Sequence, residues 1–394
     1  MIHRHHTRAL AAAAALATLA LVLAACSSAS QASTSSQEAT ASGGIPAAVT
    51  QAVDAAYAGT SGEVPGDSAP LAQGKKVWIV SAFQQVSGLA HLAAEAQAAS
   101  KTIGWDSTVC DGLNNANGAW ATCVRQAIAD GADAIILEAI DCAPVRQALL
   151  EAKAAGILIA AANSFDCNDP SQGGAEALFD ATPTYADGVD STADYYRQSG
   201  ALRADAVIAH SGGTAQVLHV EFSGVAFGGY LSEGFTKEFA TCGGCAIVDT
   251  LSITPPDIPQ IRQKFETTYI KAAKADTVVV DVDFFFAAGI QPALAAAGRT
   301  DVTVAGGECA IESLDFIRAG GGQQTCIGTS LGRIGWSLID QLNRVFAKEP
   351  LAKDGIGWQL VDATHNLPAA GTQYDGDTDY AAAYTASWQA ADKP

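Results

Sequence analysis

The sequence predicts an α/β fold of two doubly wound lobes, each built on a parallel sheet. From Lys75 onward, short apolar runs alternate with helical patterns, which is the pattern of a parallel sheet covered by helices. Many of the predicted helices end at a glycine, the residue that most often caps a helix C-terminus. The same alternation starts again near residue 186, so the chain is predicted to contain two similar α/β halves.

The N-terminus is predicted to be a targeting segment. Residues 1–25 join a basic start, MIHRHHTR, to an apolar run that ends in LVLAAC, as a signal peptide does. Leu23-Ala24-Ala25-Cys26 resembles the lipobox of bacterial lipoproteins, in which the cysteine is diacylated. Two acyl chains suffice for stable anchoring, so we expect an exported protein that Cys26 anchors to the outer face of the cell membrane. The alternative is a secreted soluble protein with a chance cysteine.

Residues 26–73 are predicted to be a flexible tether that carries one short helix. Serine, alanine, threonine and glutamine dominate the first part, a composition typical of linkers. The stretch IPAAVTQAVDAAYAG then has a helical pattern, and a linker rich in proline and glycine leads to Gly74.

The first half contains four predicted strands and three predicted helices. In chain order they are KKVWIVSA (strand), GLAHLAAEAQAASKTIG (helix), DSTVC (strand), ANGAWATCVRQAIADG (helix), ADAIILEAI (strand), APVRQALLEAKAAG (helix) and ILIAAAN (strand). The strands are apolar over their whole length, as strands buried on both faces are.

The second half repeats the alternation. In chain order it reads ADGVDSTADYYRQSG (helix), AQVLHVEF (strand), GYLSEGFTKEFATCG (helix), AIVDTLSI (strand), PQIRQKFETTYIKAAK (helix), ADTVVVDVD (strand), AAGIQPALAAAG (helix), DVTVAGGE (strand), IESLDFIRAGG (helix) and QTCIGTS (strand). Ligands of open parallel sheets bind at the carboxyl ends of the strands, so a cleft is expected where the two sets of strand ends face each other.

Charge and cysteine content narrow the possible functions. The formal net charge is −19, which disfavours nucleic acid, a polymer that attracts lysine and arginine. No second apolar stretch reaches the length of a membrane span. Eight cysteines follow Cys26, and an even number in an exported protein suggests four disulfides whose pairing the count alone leaves open. The CGGC motif at 242–245 could be a redox pair or half a zinc site, but a structural loop is the favoured interpretation because no second pair of ligands stands at zinc-finger spacing.

The chain resembles the periplasmic sugar-binding proteins of the ribose/galactose type, which are solute receptors of ABC importers with a type I periplasmic-binding-protein-like fold. The resemblance covers roughly residues 75 to 366. Three stretches carry it: DGADAIILEAIDCAPVRQALLEAKAAGILIAAANS, SGVAFGGYLSEGF and ADTVVVDVDFFFAAGIQPALAAAGRTDVTVAGGE. Each motif alone is weak, but their order and spacing over most of the chain are specific.

The resemblance implies a three-stranded hinge between an N-terminal lobe (74–181 and 330–356) and a C-terminal lobe (182–329 and 357–394). A sugar-like ligand would favour the closed form, which would dock on an ABC permease. The family implies a monomer with no cofactor, no metal and no nucleic acid partner. The alternative is that the closed form docks on a sensor kinase instead of a permease.

The resemblance also implies a set of ligand-contacting positions at the strand ends of both lobes. They are Phe83, Gln84, Gln85, Asn163, Ser164, Phe165, Asp283, Phe284, Glu308 and Thr329. Aromatic rings suit the C–H face of a sugar, and polar groups suit its hydroxyls. Of the three phenylalanines at 284–286, at least one is expected in the core, and Phe284 is the candidate for the cleft.

Two departures from the family pattern bear on the ligand. Ser164 and Leu231 stand where the family has arginines, so the expected cleft is rich in acceptors. Such a cleft suits a neutral polyol, a nucleoside or a cationic amine, and disfavours carboxylates and phosphates, which need donors.

The implied layout also suggests the disulfide pairing. Cys142 follows one strand and Cys167 follows its neighbour in the expected sheet. The other six cysteines also fall in pairs that the expected fold brings close together. The implied pairs are Cys110–Cys123, Cys142–Cys167, Cys242–Cys245 and Cys309–Cys326.

Two enzyme interpretations compete with binding. Residues 328–332, GTSLG, match the G-x-S-x-G nucleophile elbow of α/β-hydrolases around Ser330, with Asp354 or Asp362 and then His365 following in the hydrolase order. Too little chain follows Ser330 to build the rest of that fold. Asp283 and Glu308 could be a glycosidase pair, but the repeated two-lobe pattern argues against it. We therefore predict a binding protein rather than an enzyme.

Overall fold

The computed structural model of the protein describes residues 44–392. The predicted signal peptide, Cys26 and the first part of the predicted tether lie outside these residues. Within the described range, every helix is too short or too polar to cross a membrane.

The N-terminal lobe is a four-stranded parallel sheet covered by helices. Its strands follow the order β2-β1-β3-β4, and its elements are β1 (Lys76–Ser81), α2 (Ser87–Thr102), β2 (Asp106–Asp111), α3 (Ala119–Ala129), β3 (Ala134–Glu138), α4 (Cys142–Ala154) and β4 (Leu158–Ala162), preceded by α1 (Ala47–Ala58). Alternate residues of the central strands pack into two apolar clusters, one on each face of the sheet. This double burial explains why the strands are apolar throughout.

The C-terminal lobe has six strands in the order β10-β9-β8-β7-β5-β6. Its elements are α5 (Thr192–His210), β5 (Gln216–Phe222), α6 (Ala226–Phe239), β6 (Ala246–Ile253), α7 (Ile261–Lys271), β7 (Thr277–Val280), α8 (Asp283–Phe285), a π-helical turn (Phe286–Ile290), α9 (Gln291–Ala296), β8 (Thr303–Gly306), α10 (Ile311–Ala319), β9 (Gln323–Gly328) and β10 (Gln359–Asp362). Five strands are parallel, and β10 pairs antiparallel with β9. The predicted fold class, two lobes with parallel sheets, is confirmed.

The chain passes between the lobes around residue 184, at the junction of β9 with the following helix, and around residue 356. Tyr185 forms a parallel bridge with Ile356, and Thr184 N donates to Asp354 Oδ2 at 2.9 Å. Helix α11 (Leu331–Ala347) begins directly after β9 and packs on α2 and β4 of the N-terminal lobe. The lobe boundaries themselves stay a prediction.

Helix α12 (Tyr380–Ala391) lies against the N-terminal lobe, whereas the sequence prediction placed all of 357–394 in the C-terminal lobe. Trp388 stacks on Trp336 of α11 with ring centroids 5.4 Å apart, and its Nε1 donates to Asp340 Oδ1 at 2.8 Å. The physical reason is the apolar face that α11 presents, since Trp388 is 2 % exposed once it is covered.

The segment predicted to be a flexible tether is docked from Ala47 onward. Helix α1 buries Val49 and Val53 against α5 and β10 of the C-terminal lobe. Tyr57 Oη donates to Asp362 Oδ2 at 2.5 Å. Residues 59–73, here called the strap, then continue from α1 onto the N-terminal lobe.

The strap is held by side chains of α11. Arg333 donates to Gly62 O at 2.8 Å and to Glu63 O at 3.0 Å. Asn343 Nδ2 donates to Ala69 O at 3.1 Å. Gly62 N also donates to Gly355 O, 2.8 Å away, in the crossing between the lobes. The strap therefore contacts the hinge as well as α11.

All four implied disulfides are present. The Cα–Cα distances are 5.9 Å for Cys110–Cys123, 5.1 Å for Cys142–Cys167, 5.4 Å for Cys242–Cys245 and 5.2 Å for Cys309–Cys326, within the usual range for a disulfide. Cys142–Cys167 ties the start of α4 to the loop after β4, beside the expected cleft.

Candidate functional site

Two central strands of the N-terminal lobe end in polar side chains. Ser81 is the last residue of β1 and lies opposite Glu138, the last residue of β3. Both are fully buried at 0 % exposure. Neither oxygen of the Glu138 carboxyl has a hydrogen-bond partner, and the same holds for Ser81 Oγ and Gln84 Nε2. Buried polar groups are normally paired, so these atoms mark a place where a ligand could supply the partners.

Burial shifts the acidity of Glu138. Because the carboxyl is removed from water, the pKa of Glu138 rises from 4.5 to about 8, and the neighbouring Ser81 opposes this only in part. The group is therefore mostly protonated at neutral pH, and it can donate as well as accept a hydrogen bond.

Asp141 lies just beyond β3, at the N-terminus of α4. Its Oδ1 accepts from Phe165 N at 3.0 Å. Burial raises the pKa of Asp141 to about 6, and the backbone of Phe165 and, from the other lobe, of Ala226 lower it. Asp141 therefore interacts with the backbone at the N-terminus of α6, which belongs to the other lobe.

Aromatic rings also join the two lobes. Tyr196 Oη of α5 donates to Asn163 Oδ1, at the end of β4, at 3.3 Å. Phe165 packs on the rings of Tyr196 and Tyr230 with centroids 5.9 and 5.2 Å away. Tyr230 Oη donates to Asp169 Oδ1 at 2.7 Å. The strand ends of the two lobes thus face each other and are in contact.

On the C-terminal lobe, Asp283 and Glu308 stand at the ends of adjacent strands. Asp283 Oδ2 accepts from the backbone N–H groups of Glu308 and Ala310 at 3.0 and 2.7 Å, and Oδ1 accepts from Gln323 Nε2 at 3.2 Å. Asp283 is 3 % exposed. The sequence led us to expect that Asp283 faces a solvent-filled cleft with its oxygens free. That expectation is wrong, because the turn after β8 and the side chain of Gln323 occupy both oxygens.

Glu308 is less engaged than Asp283. Its Oε2 accepts from Asp283 N at 3.3 Å. Burial and the nearby Asp283 raise the pKa of Glu308 to about 8. Glu308 also raises the pKa of Tyr196, whose main cause is burial.

The remaining predicted positions divide into two groups. Ser164 Oγ accepts from Ile140 N at 3.0 Å and donates to Ala162 O at 2.9 Å, so it braces its own loop. Thr329 Oγ1 shares a 2.5 Å hydrogen bond with Tyr195 Oη near the hinge. Gln85 is exposed and Phe83 is half-buried. Ligand contact at these positions stays a prediction.

The three phenylalanines separate as the sequence led us to expect. Phe285 and Phe286 are 0 % and 1 % exposed in the core of the C-terminal lobe, whereas Phe284 is 39 % exposed. Phe286 packs edge-on against Phe316 at 4.9 Å. Phe284 is free to contact a ligand or solvent.

Truncation should separate these two roles. We expect Phe286→Ala to lower the free energy of unfolding by about 3 kcal/mol, because it leaves a cavity under the π-helical turn. Phe284→Ala is the matched control and should stay within about 0.5 kcal/mol of the parent. Urea unfolding curves test both, and an equal loss in the two variants would show that Phe284 is also structural.

Ser330 serves as a helix cap. Its Oγ accepts from Arg333 N at 3.2 Å and lies 3.2 Å from Asp375 Oδ1. His91 contacts the other oxygen of Asp375 at 2.5 Å. A nucleophile elbow needs the histidine between serine and carboxylate, but here the carboxylate lies between. His365 instead pairs with Asp362 at 3.1 Å. The described residues thus place Ser330 outside a hydrolase arrangement.

Comparison with known proteins identifies the family. A family model described as the periplasmic binding protein domain matches residues 79–350. The chain belongs to the periplasmic binding protein family. Comparison with curated proteins gives no match.

Solved structures of periplasmic binding proteins show the same fold. A periplasmic solute binding protein of an ABC transporter from Actinobacillus succinogenes, with bound D-allose, has a TM-score of 0.62 and 19 % identity over 73 % of this chain and 98 % of that one. A glucose-galactose binding protein from Geobacillus stearothermophilus has a TM-score of 0.63 and 15 % identity over 75 % and 99 %. A solute binding protein from Mycobacterium smegmatis, with bound glycerol, has a TM-score of 0.61 and 18 % identity over 77 % and 100 %.

The periplasmic binding protein family therefore accounts for the two facing lobes. Sequence reasoning missed Glu138, Asp141 and Tyr196. The signal for Glu138 was present, since a carboxylate ends an apolar run there as it does at Asp283. Asp141 and Tyr196 carried no local pattern that separates a cleft residue from a helix cap or a core ring.

Proposed function

We propose that this protein is a lipid-anchored solute-binding protein that captures a small polar ligand, a sugar or polyol, between its lobes and delivers it to an ABC permease. The observation that carries the proposal is the set of buried, unpartnered polar atoms of Ser81, Gln84 and Glu138 at the strand ends of the N-terminal lobe. A polyhydroxylated ligand provides both donors and acceptors for such atoms.

The facing lobe supplies the second half of the proposed site. Tyr196 and Glu308 belong to the C-terminal lobe, and the Tyr196 ring packs on Phe165 of the N-terminal lobe. A ligand bridging both lobes would stabilise the closed arrangement, because it binds that arrangement better than the open one. Two of the related structures carry D-allose and glycerol, which supports hydroxylated ligands as the first class to test.

The binding test is a melting-temperature screen of the exported part of the chain, followed by calorimetric titration. Sugars, polyols, nucleosides and amines form the panel. A ligand at 100 times its Kd should stabilise the protein by about 2.7 kcal/mol. If no panel member raises the melting temperature, the protein does not capture this class of solute.

The anchor has its own prediction. Because Cys26 ends a lipobox-like sequence, Cys26→Ser should abolish acyl labelling and leave the protein unprocessed or released from the membrane fraction. Ser27→Ala, next to it, is the control and should stay anchored. Unchanged fractionation and labelling of Cys26→Ser would contradict lipid anchoring without touching the binding proposal.

A further inference from the structure

Three carboxyl groups of the proposed cleft form no ion pair within residues 44–392, although Arg203 lies close enough to lower the pKa of Glu308. Glu138 and Asp141 come from the N-terminal lobe, and Glu308 comes from the C-terminal lobe. Among the described residues, none of the three forms an ion pair. Glu138 keeps both carboxyl oxygens free of hydrogen-bond partners.

Two arginines of the C-terminal lobe already make other contacts. Arg203 lies behind the C-terminal strand ends, where it donates to Val280 O at 2.9 Å and to Gly307 O at 3.3 Å and pairs with Asp281 at 3.6 Å. Arg197 lies over the ring of Tyr230 and pairs with Glu233 at 2.8 Å. Neither can neutralise Glu138 without giving up these contacts.

Glu138 points to the ligand most directly. It is fully buried and its two oxygens accept no hydrogen bond, and Ser81, whose hydroxyl also lacks a partner, lies opposite it on β1. The charged form of a carboxyl in such a place is stabilised when a cation with N–H donors reaches it.

We propose that the ligand is a hydroxylated amine, such as an amino sugar or an aminated polyol, whose protonated amino group binds the Glu138 carboxylate. This inference rests on the proposed function and narrows its ligand class. The hydroxyl groups of this ligand would form hydrogen bonds with the other polar atoms of the cleft, as those of a neutral sugar would. The ammonium group supplies the positive charge that the protein itself does not place there.

A neutral sugar would fit this site less well. A hydroxyl can donate one hydrogen bond to Glu138, but it leaves the charge uncompensated or requires the carboxyl to keep its proton. An ammonium group donates up to three hydrogen bonds and carries the compensating charge. The amine should therefore bind more tightly than the hydroxyl compound of the same frame, by about ten- to a hundredfold in Kd.

The test is calorimetric titration with matched pairs at pH 7. The pairs are D-glucosamine with D-glucose, D-galactosamine with D-galactose, and 1-amino-1-deoxysorbitol with sorbitol. Tighter binding of an amine by at least tenfold, and loss of that preference in Glu138→Gln, is the expected result. Glu349→Gln changes an exposed glutamate and should keep the preference.

Other titration results would contradict the amine inference in different ways. Equal or tighter binding of the neutral partner would overturn the amine inference and leave the proposed function standing. An amine preference that survives in Glu138→Gln would also overturn it, because another group would then bind the cation. If neither member of any pair binds, the amine inference fails, and the melting-temperature screen decides the sugar-or-polyol proposal separately.

Discussion

Asp283→Ala should lower the free energy of unfolding by at least about 3 kcal/mol, one of the two largest effects expected of a single change in the cleft. The carboxylate accepts two backbone N–H groups, from Glu308 and Ala310, and the side chain of Gln323. Leaving a buried donor without a partner costs about 1–3 kcal/mol, and the alanine leaves three. A Cβ on Gly307 would lie 1.5 Å from Asp283 Oδ1, which shows how closely the turn is fitted to this carboxyl.

Urea unfolding at pH 7 measures this loss. Asp283→Asn keeps an acceptor oxygen and should lose less than Asp283→Ala. Asp301→Ala, at an exposed carboxylate, is the control and should change stability by no more than about 0.5 kcal/mol. A variant Asp283→Ala that unfolds like the parent but binds ligand more weakly would restore the sequence-based expectation of a free cleft acceptor.

Glu138→Gln should remove a pH-dependent loss of stability. The pKa of Glu138 is raised from 4.5 to about 8 in the folded protein, because burial disfavours the charged form. Below pH 4.5 both states hold the proton, so there is no penalty. Between pH 4.5 and 8 the unfolded chain ionises first, and stability falls by up to about 1.4 kcal/mol per pH unit. Above pH 8 the loss is complete, at about 4–5 kcal/mol.

The amide side chain introduced by Glu138→Gln does not titrate, so the variant escapes this loss. The stability of Glu138→Gln relative to the parent should rise by about 4–5 kcal/mol between pH 4 and pH 9, in unfolding curves recorded without ligand. Glu349→Gln, at an exposed position, should run parallel to the parent at every pH. Parallel curves for Glu138→Gln as well would mean that water or another group stabilises the carboxylate.

The elements that the sequence predicted best are those buried on both faces. The run Thr277–Val280 is a strand in the structure because all four residues are buried in the sheet, and a continuous apolar run carries that information. Phe285 and Phe286 are also buried in the core. The disulfide pairs were implied by the family layout, which places the cysteines at neighbouring strand ends and loops.

The features that escaped prediction depend on contacts between distant parts of the chain. The sequence around Glu138 does not show that its carboxyl lies opposite Ser81 with no donor nearby, because that follows from strand register. The placement of Trp388 on Trp336 depends on a surface formed by α11. Asp283 was expected to face solvent, but the backbone of the turn after β8 surrounds it, and the local sequence does not reveal where those N–H groups point.

The strap changes where the folded unit begins. Sequence composition suggests starting a shortened recombinant protein at Gly74, where the first strand pattern follows. Such a protein would leave the buried guanidinium of Arg333 without the carbonyls of Gly62 and Glu63. It would also uncover the surfaces of α5 and β10 on which Val49 and Val53 pack. A shortened protein that retains the native hinge should therefore start before Ala47, and binding or stability measured on one that starts at Gly74 would describe a different molecule.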